Sequence, residues 1–180
     1  MKNKIFSIIL IALGTALIAV ASQISFPIGT VPITLQTLAV GLIASLYHVK
    51  ETFLTMLLYL LLGLIGLPIF AGGAGGFSVI YGPTGGFLVT FLISGTLISS
   101  LLSIFHKKII TLAIINMIGA ILTLFLGTIW LKVFVNMNWS VAFLTGFIPF
   151  LADEILKVVL IVIITRALIR ILPRINSYFE

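Results

Sequence analysis

The stretch Ile-Ile-Thr-Leu-Ala-Ile-Ile-Asn-Met-Ile-Gly-Ala-Ile-Leu-Thr-Leu-Phe-Leu-Gly-Thr-Ile-Trp-Leu, residues 109–131, contains no charged side chain. A helix that crosses the hydrocarbon core of a bilayer needs about 20 mainly apolar residues, and this run is long enough. The rest of the chain agrees, because 61% of its residues are hydrophobic, 8% are charged and the mean hydropathy is +1.37. The sequence therefore predicts an all-α membrane protein, with residues 1–180 as a single integral membrane domain.

Hydropathy and the positions of glycine and proline divide the chain into six predicted helices. They run over Asn3–Ser22, Thr34–Tyr47, Glu51–Leu67, Gly85–Phe105, Ile109–Leu131 and Pro149–Leu172. The second of them is too short to span the membrane alone. Lipid tolerates such a helix only where the neighbouring irregular backbone is buried in protein or lines a polar cavity. We therefore expect a cavity near one membrane face.

The distribution of basic residues predicts the orientation, because Lys and Arg accumulate in cytoplasmic loops. With a cytoplasmic N-terminus, the residues on the cytoplasmic side are Lys2, Lys4, Lys50, Lys107, Lys108, Arg166, Arg170 and Arg174. Lys132 is then left outside and Lys157 lies in the membrane. We expect a multi-pass protein of the cell membrane with both termini in the cytoplasm, and with residues 23–33, 68–84 and 132–148 on the outer side.

The first predicted helix carries a stripe of small residues. Ala12, Ala16 and Ala19 lie at i, i+4 and i+7 and share one helical face, which suits the close approach of another helix. The same segment resembles a secretory signal peptide, with lysines, an apolar run and Ala19-Val20-Ala21 as a cleavage site. The alanine stripe favours retention of the segment as a helix.

The last predicted helix carries three charged side chains close to its start. Pro149 suits the first helical position, and Lys157 is i+4 from Asp153 and i+3 from Glu154, so either carboxylate can share a face with the ammonium. An ionisable group at membrane depth costs roughly 2.5–3.5 kcal/mol, so we interpret the cluster as a ligand-binding site. In the alternative interpretation Asp153 complements the helix dipole and Lys157 extends to the interface, which leaves Glu154 without a role.

A glycine-rich segment, residues 66–87, lies on the predicted outer side. Glycine pairs recur at 72/73, 75/76 and 85/86, and glycine permits positive φ and a close approach of backbone to a ligand. Phe77 and Tyr81 offer aromatic rings to a flat apolar solute. We expect Gly73, Gly85, Phe77 and Tyr81 near a ligand, although the segment also fits a plain outer connection built from turns.

Polar side chains stand at the start of the second predicted helix. Thr34, Gln36 and Thr37 place hydroxyl and amide groups where they can hydrogen-bond a polar ligand. They fit equally well as partners for neighbouring backbone groups, and both interpretations stay open at this point.

Other classes of function have weaker support. The chain has no cysteine, and His48 and His106 lie at predicted cytoplasmic helix ends, far from the carboxylates. We therefore predict no metal site, no cofactor and no enzyme activity. The glycines are not followed by the Lys-Ser/Thr of a phosphate loop, so we predict that the glycine-rich segment binds no nucleotide. The basic residues form no stripe, so the net charge of +6 does not predict nucleic-acid binding.

Three segments together resemble the BioY family, the biotin-specific S components of energy-coupling factor (ECF) transporters. They are Pro32-Ile-Thr-Leu-Gln-Thr-Leu-Ala-Val40, Leu57-Leu-Tyr-Leu-Leu-Leu-Gly-Leu-Ile-Gly-Leu-Pro68 with Tyr81-Gly-Pro-Thr-Gly-Gly86, and the acidic start of the last helix. The resemblance covers nearly the whole chain. It implies six helices, capture of the vitamin from outside, and docking to a transmembrane coupling subunit and ATPase subunits. The alanine stripe resembles the motif by which S components dock.

The resemblance also implies how the charged cluster is used. Biotin carries a ureido ring with two N–H donors and one carbonyl, so a carboxylate can accept from the ring while Lys157 donates to its oxygen. The family usually has Pro-Gly-Asp-x-x-Lys where this chain has Ala152-Asp153-Glu154-Ile-Leu-Lys157. Aligned without a gap, Glu154 takes the position of the family's acid, but which of Asp153 and Glu154 faces the ligand stays open. The alternatives are an S component for another vitamin and a stand-alone biotin facilitator.

Overall fold

The computed structural model of the protein describes residues 2–27, 29–105 and 107–171, so the predictions for His106, Leu172 and Arg174 lie outside the described residues. Each of the six predicted helices has a counterpart in the structure, although the ends differ by a few residues. The helices are α1 (Lys2–Gln23), α2 (Gln36–Leu46), α3 (Val49–Leu64), α4 (Phe77–Ile80), α5 (Gly85–Ile104), α6 (Ile109–Val135), α7 (Trp139–Gly146) and α8 (Ile148–Ile171).

The connection between α1 and α2 contains a small antiparallel hairpin that the sequence did not predict. Strand β1 (Ser25–Phe26) pairs with β2 (Ile33–Thr34), and Ser25 lies opposite Thr34. The prediction that Thr34 opens the helix is therefore wrong, because Thr34 ends a strand and α2 begins two residues later. Strand pairing supplies hydrogen-bond partners for backbone that would otherwise be unpaired at a protein–membrane boundary.

The glycine-rich segment folds back over the end of α3. It contains a 3₁₀ turn (Ala71–Gly73) followed by α4, and the N–H of Gly76 donates to the carbonyl of Gly63 at 2.7 Å. Gly73 and Gly76 have φ values of 73° and 94°, in the region that favours glycine. A side chain at Gly63 would overlap the ring of Phe70, so the absence of a Cβ there lets Phe70 enter the protein interior.

Three helices of the described chain are long and apolar enough to cross a bilayer: residues Lys4–Gln23 of α1, and the whole of α5 and α6. The helix α8 has the length but carries three charged side chains in its first half. Large apolar side chains are exposed along one face of α6, including Ile110, Ile114 and Ile118. An exposed face of this kind fits lipid tails as neighbours, and the protein is embedded in a membrane.

The packing of the helices determines where a cavity can form. The helix α5 packs along α6, while α2 contacts both α5 and α8. A core cluster that includes Ile43, Tyr59, Phe70 and Phe91 fills the space between α2, α3 and α5. The region enclosed by α2, α5, α6 and α8 is left for the candidate site.

Candidate functional site

A cavity of about 210 Å³ lies between these four helices, at the end where the hairpin and the glycine-rich segment cover them. Its walls are mainly apolar and include the rings of Phe70, Phe87, Phe91 and Phe150. Its polar lining residues are Thr34, Gln36, Thr37, Thr84, Thr123, Glu154 and Lys157. An apolar cavity with a few converging polar groups is the usual form of a small-molecule site.

The charged cluster of α8 forms one connected network at the cavity wall. The Nζ of Lys157 lies 2.5 Å from Asp153 Oδ2 and 3.2 Å from Glu154 Oε1, and it donates to Thr37 Oγ1 at 2.9 Å. The hydroxyl of Thr37 in turn donates to Glu154 Oε1 at 2.7 Å. The predicted i+3 and i+4 relations are thus both used. Thr37 links α2 to α8 because it touches both members of the Glu154–Lys157 pair.

The two carboxylates have different positions. Glu154 and Lys157 are buried, with 4% and 3% of their surface exposed, and both line the cavity. Asp153 is outside the lining and its side chain is 19% exposed. Two carboxylates share one ammonium, so the cluster carries one net negative charge when all three groups are ionised. Glu154 therefore lies in the cavity wall, whereas Asp153 pairs with Lys157 from outside the wall.

A second polar network orients Gln36. The amide Nε2 of Gln36 donates to Tyr59 Oη at 2.5 Å, and Tyr59 donates to the carbonyl of Ile69 at 2.9 Å. The Thr34 hydroxyl donates to Gln36 Oε1 at 3.0 Å and accepts from the backbone N–H of Gln36. The interpretation as a partner for a neighbouring backbone group is confirmed for Thr34, and a ligand contact of these residues stays a prediction. Hydrogen bonds to Tyr59 and Thr34 hold the Gln36 side chain in the cavity wall.

The predicted aromatic residues of the glycine-rich segment do not lie in the cavity. The rings of Phe77 and Tyr81 are each 61% exposed and stack on one another with centroids 4.7 Å apart. Phe77 is the first residue of the one-turn helix α4 and Tyr81 follows its last residue, while Val79 on the same turn lines the cavity. The structure thus differs from the expectation that these two rings form the ligand-facing wall.

The two predicted glycines border the cavity without lining it. Gly73 lies between the lining residues Ala71 and Ala74, and Gly85 follows the lining residue Thr84. A Cβ at Gly85 would overlap the carbonyl oxygen of Ile80. Gly85 therefore packs closely against the backbone of Ile80 in the same segment. The prediction was a close approach of Gly85 to a ligand.

Four aromatic lining residues were missing from the predicted site. Phe150 lies one turn before Glu154 on α8, and Phe87 and Phe91 lie one turn apart on α5. The i, i+4 spacing from Glu154 was the available signal for Phe150. Phe70 gave no such signal, because its position depends on how the glycine-rich segment folds back.

Trp130 fixes the start of α5 from the neighbouring helix α6. Its indole Nε1 donates to the carbonyl of Gly82 at 2.9 Å, and a Cβ at Gly86 would overlap its side chain. Gly82 and Gly86 enclose the lining residue Thr84, so this contact holds that part of the cavity wall in place.

The alanine stripe of α1 divides into two parts. Ala12 and Ala16 are exposed, whereas Ala19 is partly buried and packs against the core cluster around Ile43. The opposite face of α1 is buried, including Ile18 and Ser22. The expected docking surface is therefore open at Ala12 and Ala16, while Ala19 belongs to the inner edge of the helix.

No group of three metal-binding side chains occurs among the described residues. His48 precedes α3, at the opposite end of α2 from Gln36 and remote from the cavity lining.

Comparison with known proteins gives consistent matches over nearly the whole chain. The model of the BioY family matches residues 1–174. The "Biotin transporter BioY2" of Lactococcus lactis subsp. cremoris is 53% identical over 99% of this chain and 98% of its own length. The "Biotin transporter BioY" of Thermotoga maritima is 36% identical over 86% of this chain and 90% of its own length.

A solved structure has the same fold. The crystal structure of the S-component for biotin from an ECF-type ABC transporter superposes with a TM-score of 0.87 at 29% sequence identity. The match covers 94% of this chain and 93% of the other. The helical arrangement described above is therefore shared with that S-component.

Proposed function

The chain belongs to the BioY family, and we propose that it binds biotin and carries it across the cell membrane as the substrate-specific S component of an ECF transporter. The observation that carries the proposal is the buried Glu154–Lys157 pair on the wall of an apolar, phenylalanine-lined cavity. Placing two charged side chains at membrane depth costs free energy, so a role in binding a polar ligand is the interpretation we favour. Biotin combines the required polar ring with an apolar body.

The geometry fits the ureido ring of biotin. The Lys157 ammonium is a donor for the ureido carbonyl oxygen, and the Glu154 carboxylate is an acceptor for a ureido N–H. Both contacts gain strength from the low dielectric of the buried site. The Phe87, Phe91 and Phe150 rings supply apolar contact for the sulfur ring and the aliphatic chain.

The same proposal includes the orientation and the partners. Both termini lie in the cytoplasm, and the hairpin and glycine-rich segment face outward, in agreement with the distribution of lysine and arginine. The protein is a transport subunit and not an enzyme. ATP hydrolysis is supplied by ATPase subunits through a transmembrane coupling subunit that docks at Ala12 and Ala16.

Direct binding tests the ligand. Purified protein in detergent should bind labelled biotin, and excess unlabelled biotin should displace the label while thiamine and riboflavin should not. Displacement by one of the other vitamins would identify a different S component. Absence of biotin binding by folded protein would refute the proposed ligand.

The two carboxylates should contribute unequally to binding. Glu154→Gln is expected to weaken biotin binding by about 1.5–3 kcal/mol, the scale of hydrogen bonds to charged groups, because Glu154 lines the cavity. Asp153→Asn removes the same charge at a position outside the lining and should cost less. Titration of both variants with labelled biotin measures the difference. A larger loss for Asp153→Asn would transfer the ligand contact to that residue.

Replacement of Gly85 should weaken biotin binding because it displaces the backbone at the start of α5. In Gly85→Val the new side chain meets the Ile80 carbonyl, so the start of α5 has to move together with Thr84 and Phe87. We expect an affinity loss of about tenfold or more, which corresponds to about 1.4 kcal/mol. Gly73→Val should lose less, because its cost is the strain of a φ of 73° without a clash.

The matched control for the glycine variants is Gly73→Asn, since asparagine adopts the left-handed region more readily than valine. It should bind biotin like the unchanged protein. Wild-type affinity in a correctly inserted Gly85→Val protein would show that the segment is only a connection.

A further inference from the structure

A second, smaller cavity of about 20 Å³ lies directly next to the first, on the side of α8 that continues beyond Glu154. The two cavities share the lining residues Thr37, Phe91, Thr123 and Glu154. Beyond this shared wall the lining of the second cavity includes Gly41, Asn116, Ala120 and Ile161. Glu154 thus stands between the two cavities.

Asn116 on α6 contributes a polar atom to this space. Its side chain is buried, and its Nδ2 donates to the carbonyl of Leu112 and to the hydroxyl of Ser45, each at 2.9 Å. Because a backbone carbonyl only accepts, these contacts fix the amide group's orientation. The Oδ1 of Asn116 accepts no hydrogen bond from any residue in the described ranges. A buried acceptor without a hydrogen bond is destabilising, so we expect Asn116 Oδ1 to accept a hydrogen bond from a donor outside the protein chain.

Gly41 on α2 lies beside Asn116 Oδ1. A Cβ built on Gly41 would lie 2.9 Å from Oδ1 and would overlap the side chain of Ile161. Glycine at this position therefore keeps the space beside Oδ1 open. A buried water needs roughly 10–15 Å³ and two to four polar partners. This cavity has about 20 Å³, and Asn116 and Glu154 are among its polar lining residues.

We propose that this cavity holds one ordered water molecule, which donates one hydrogen to Asn116 Oδ1 and the other to the carboxylate of Glu154. The Glu154 Oε1 atom already accepts from Thr37 at 2.7 Å. The water adds a contact from the opposite side, so it fixes the carboxylate's direction toward the ligand cavity. Asn116 is a positioning residue that acts through this water. The hydration site is independent of the ligand's identity, whereas its effect on affinity rests on the proposed function.

Hydroxyl-radical footprinting by X-ray pulses tests the water directly, because radicals formed from a bound water label the side chains beside it. Ile161 lines the second cavity and not the first, and Leu112 on α6 is fully buried and lines neither. With the first cavity saturated by biotin, Ile161 should be labelled several-fold more than Leu112. Equal labelling of the two residues would overturn the proposal.

Two variants displace the water without altering a polar group. Ala120→Val adds volume to the cavity, and Gly41→Ala adds one methyl group directed at Asn116 Oδ1. Each should abolish the labelling of Ile161 and weaken biotin binding about tenfold. Gly41→Ala keeps the test decisive if Ala120→Val does not fold. The matched control Ala113→Val, on the same helix and outside both cavities, should change neither quantity.

The experiments test the presence of the water separately from its effect on biotin affinity. Loss of labelling with unchanged affinity would overturn the positioning role of the water. A labelled Ile161 in a folded protein that binds no biotin would refute the proposed function and leave the hydration site in place.

Discussion

The variant Lys157→Met is expected to lose biotin binding by roughly a hundredfold, equivalent to about 2.7 kcal/mol. Lys157 is 3% exposed, and its ammonium contacts both Asp153 and Glu154 as well as Thr37. Methionine has a similar length but donates no hydrogen bond. The ligand therefore loses its cationic partner, and hydrogen bonds to charged groups contribute about 1.5–3 kcal/mol.

The same substitution leaves two carboxylates together without a counter-charge. Removing one partner of a buried ion pair destabilises a protein by about 3–5 kcal/mol. A lower midpoint of thermal unfolding in detergent should accompany the loss of affinity, so stability and binding have to be separated.

The double variant Lys157→Met/Asp153→Asn makes this separation. It keeps one net negative charge in the cluster, as in the unchanged protein, and leaves Glu154 on the cavity wall. We expect the unfolding midpoint to recover in large part while biotin binding remains weak. Recovery of full affinity in the double variant would show that Lys157 serves only as a counter-charge for the acids.

The sequence was sufficient for the six predicted helices and for the spacing of the charged cluster, but the six did not include the short helices α4 and α7. Long apolar runs are strong signals because the bilayer fixes their length, and the spacing of Asp153, Glu154 and Lys157 fixes their common face once the helix is assigned. The same reasoning failed at Thr34. A two-residue strand has no periodicity of its own, and it depends on a partner strand several residues earlier in the chain.

The walls of the cavity were harder to predict for a physical reason. In a soluble helix the apolar face points inward, but α5 and α6 are apolar on every side, so the pattern does not distinguish lipid-facing from cavity-facing rings. The sequence analysis did not identify Phe87 and Phe91 as cavity-lining residues for this reason. Phe77 and Tyr81 were predicted to contact the ligand because they lie in the glycine-rich segment. A helix of one turn is too short for its sequence pattern to show which side chains face the cavity.

Ala16→Trp is expected to abolish energised biotin uptake while leaving equilibrium biotin binding unchanged. Ala16 and Ala12 are exposed on α1, and larger exposed side chains such as Leu13 and Leu17 stand beside them. Small residues let two helices approach closely in a membrane, so an indole ring at position 16 would hold a coupling subunit away. None of the described residues of α1 lines the cavity that we propose as the biotin site, so affinity should be retained.

The matched control for the docking variant is Ala167→Trp, which introduces the same ring at an exposed alanine of α8. Uptake into vesicles that contain the coupling and ATPase subunits, pull-down of the coupling subunit, and biotin binding by the isolated variants measure the three effects. The control should behave like the unchanged protein in each. Joint loss of binding and uptake in Ala16→Trp would mean that the stripe stabilises the protein's own fold. Uptake that persists in Ala16→Trp, and also in vesicles without the partner subunits and nucleotide, would identify a stand-alone facilitator, because transport would then need neither the docking surface nor ATP.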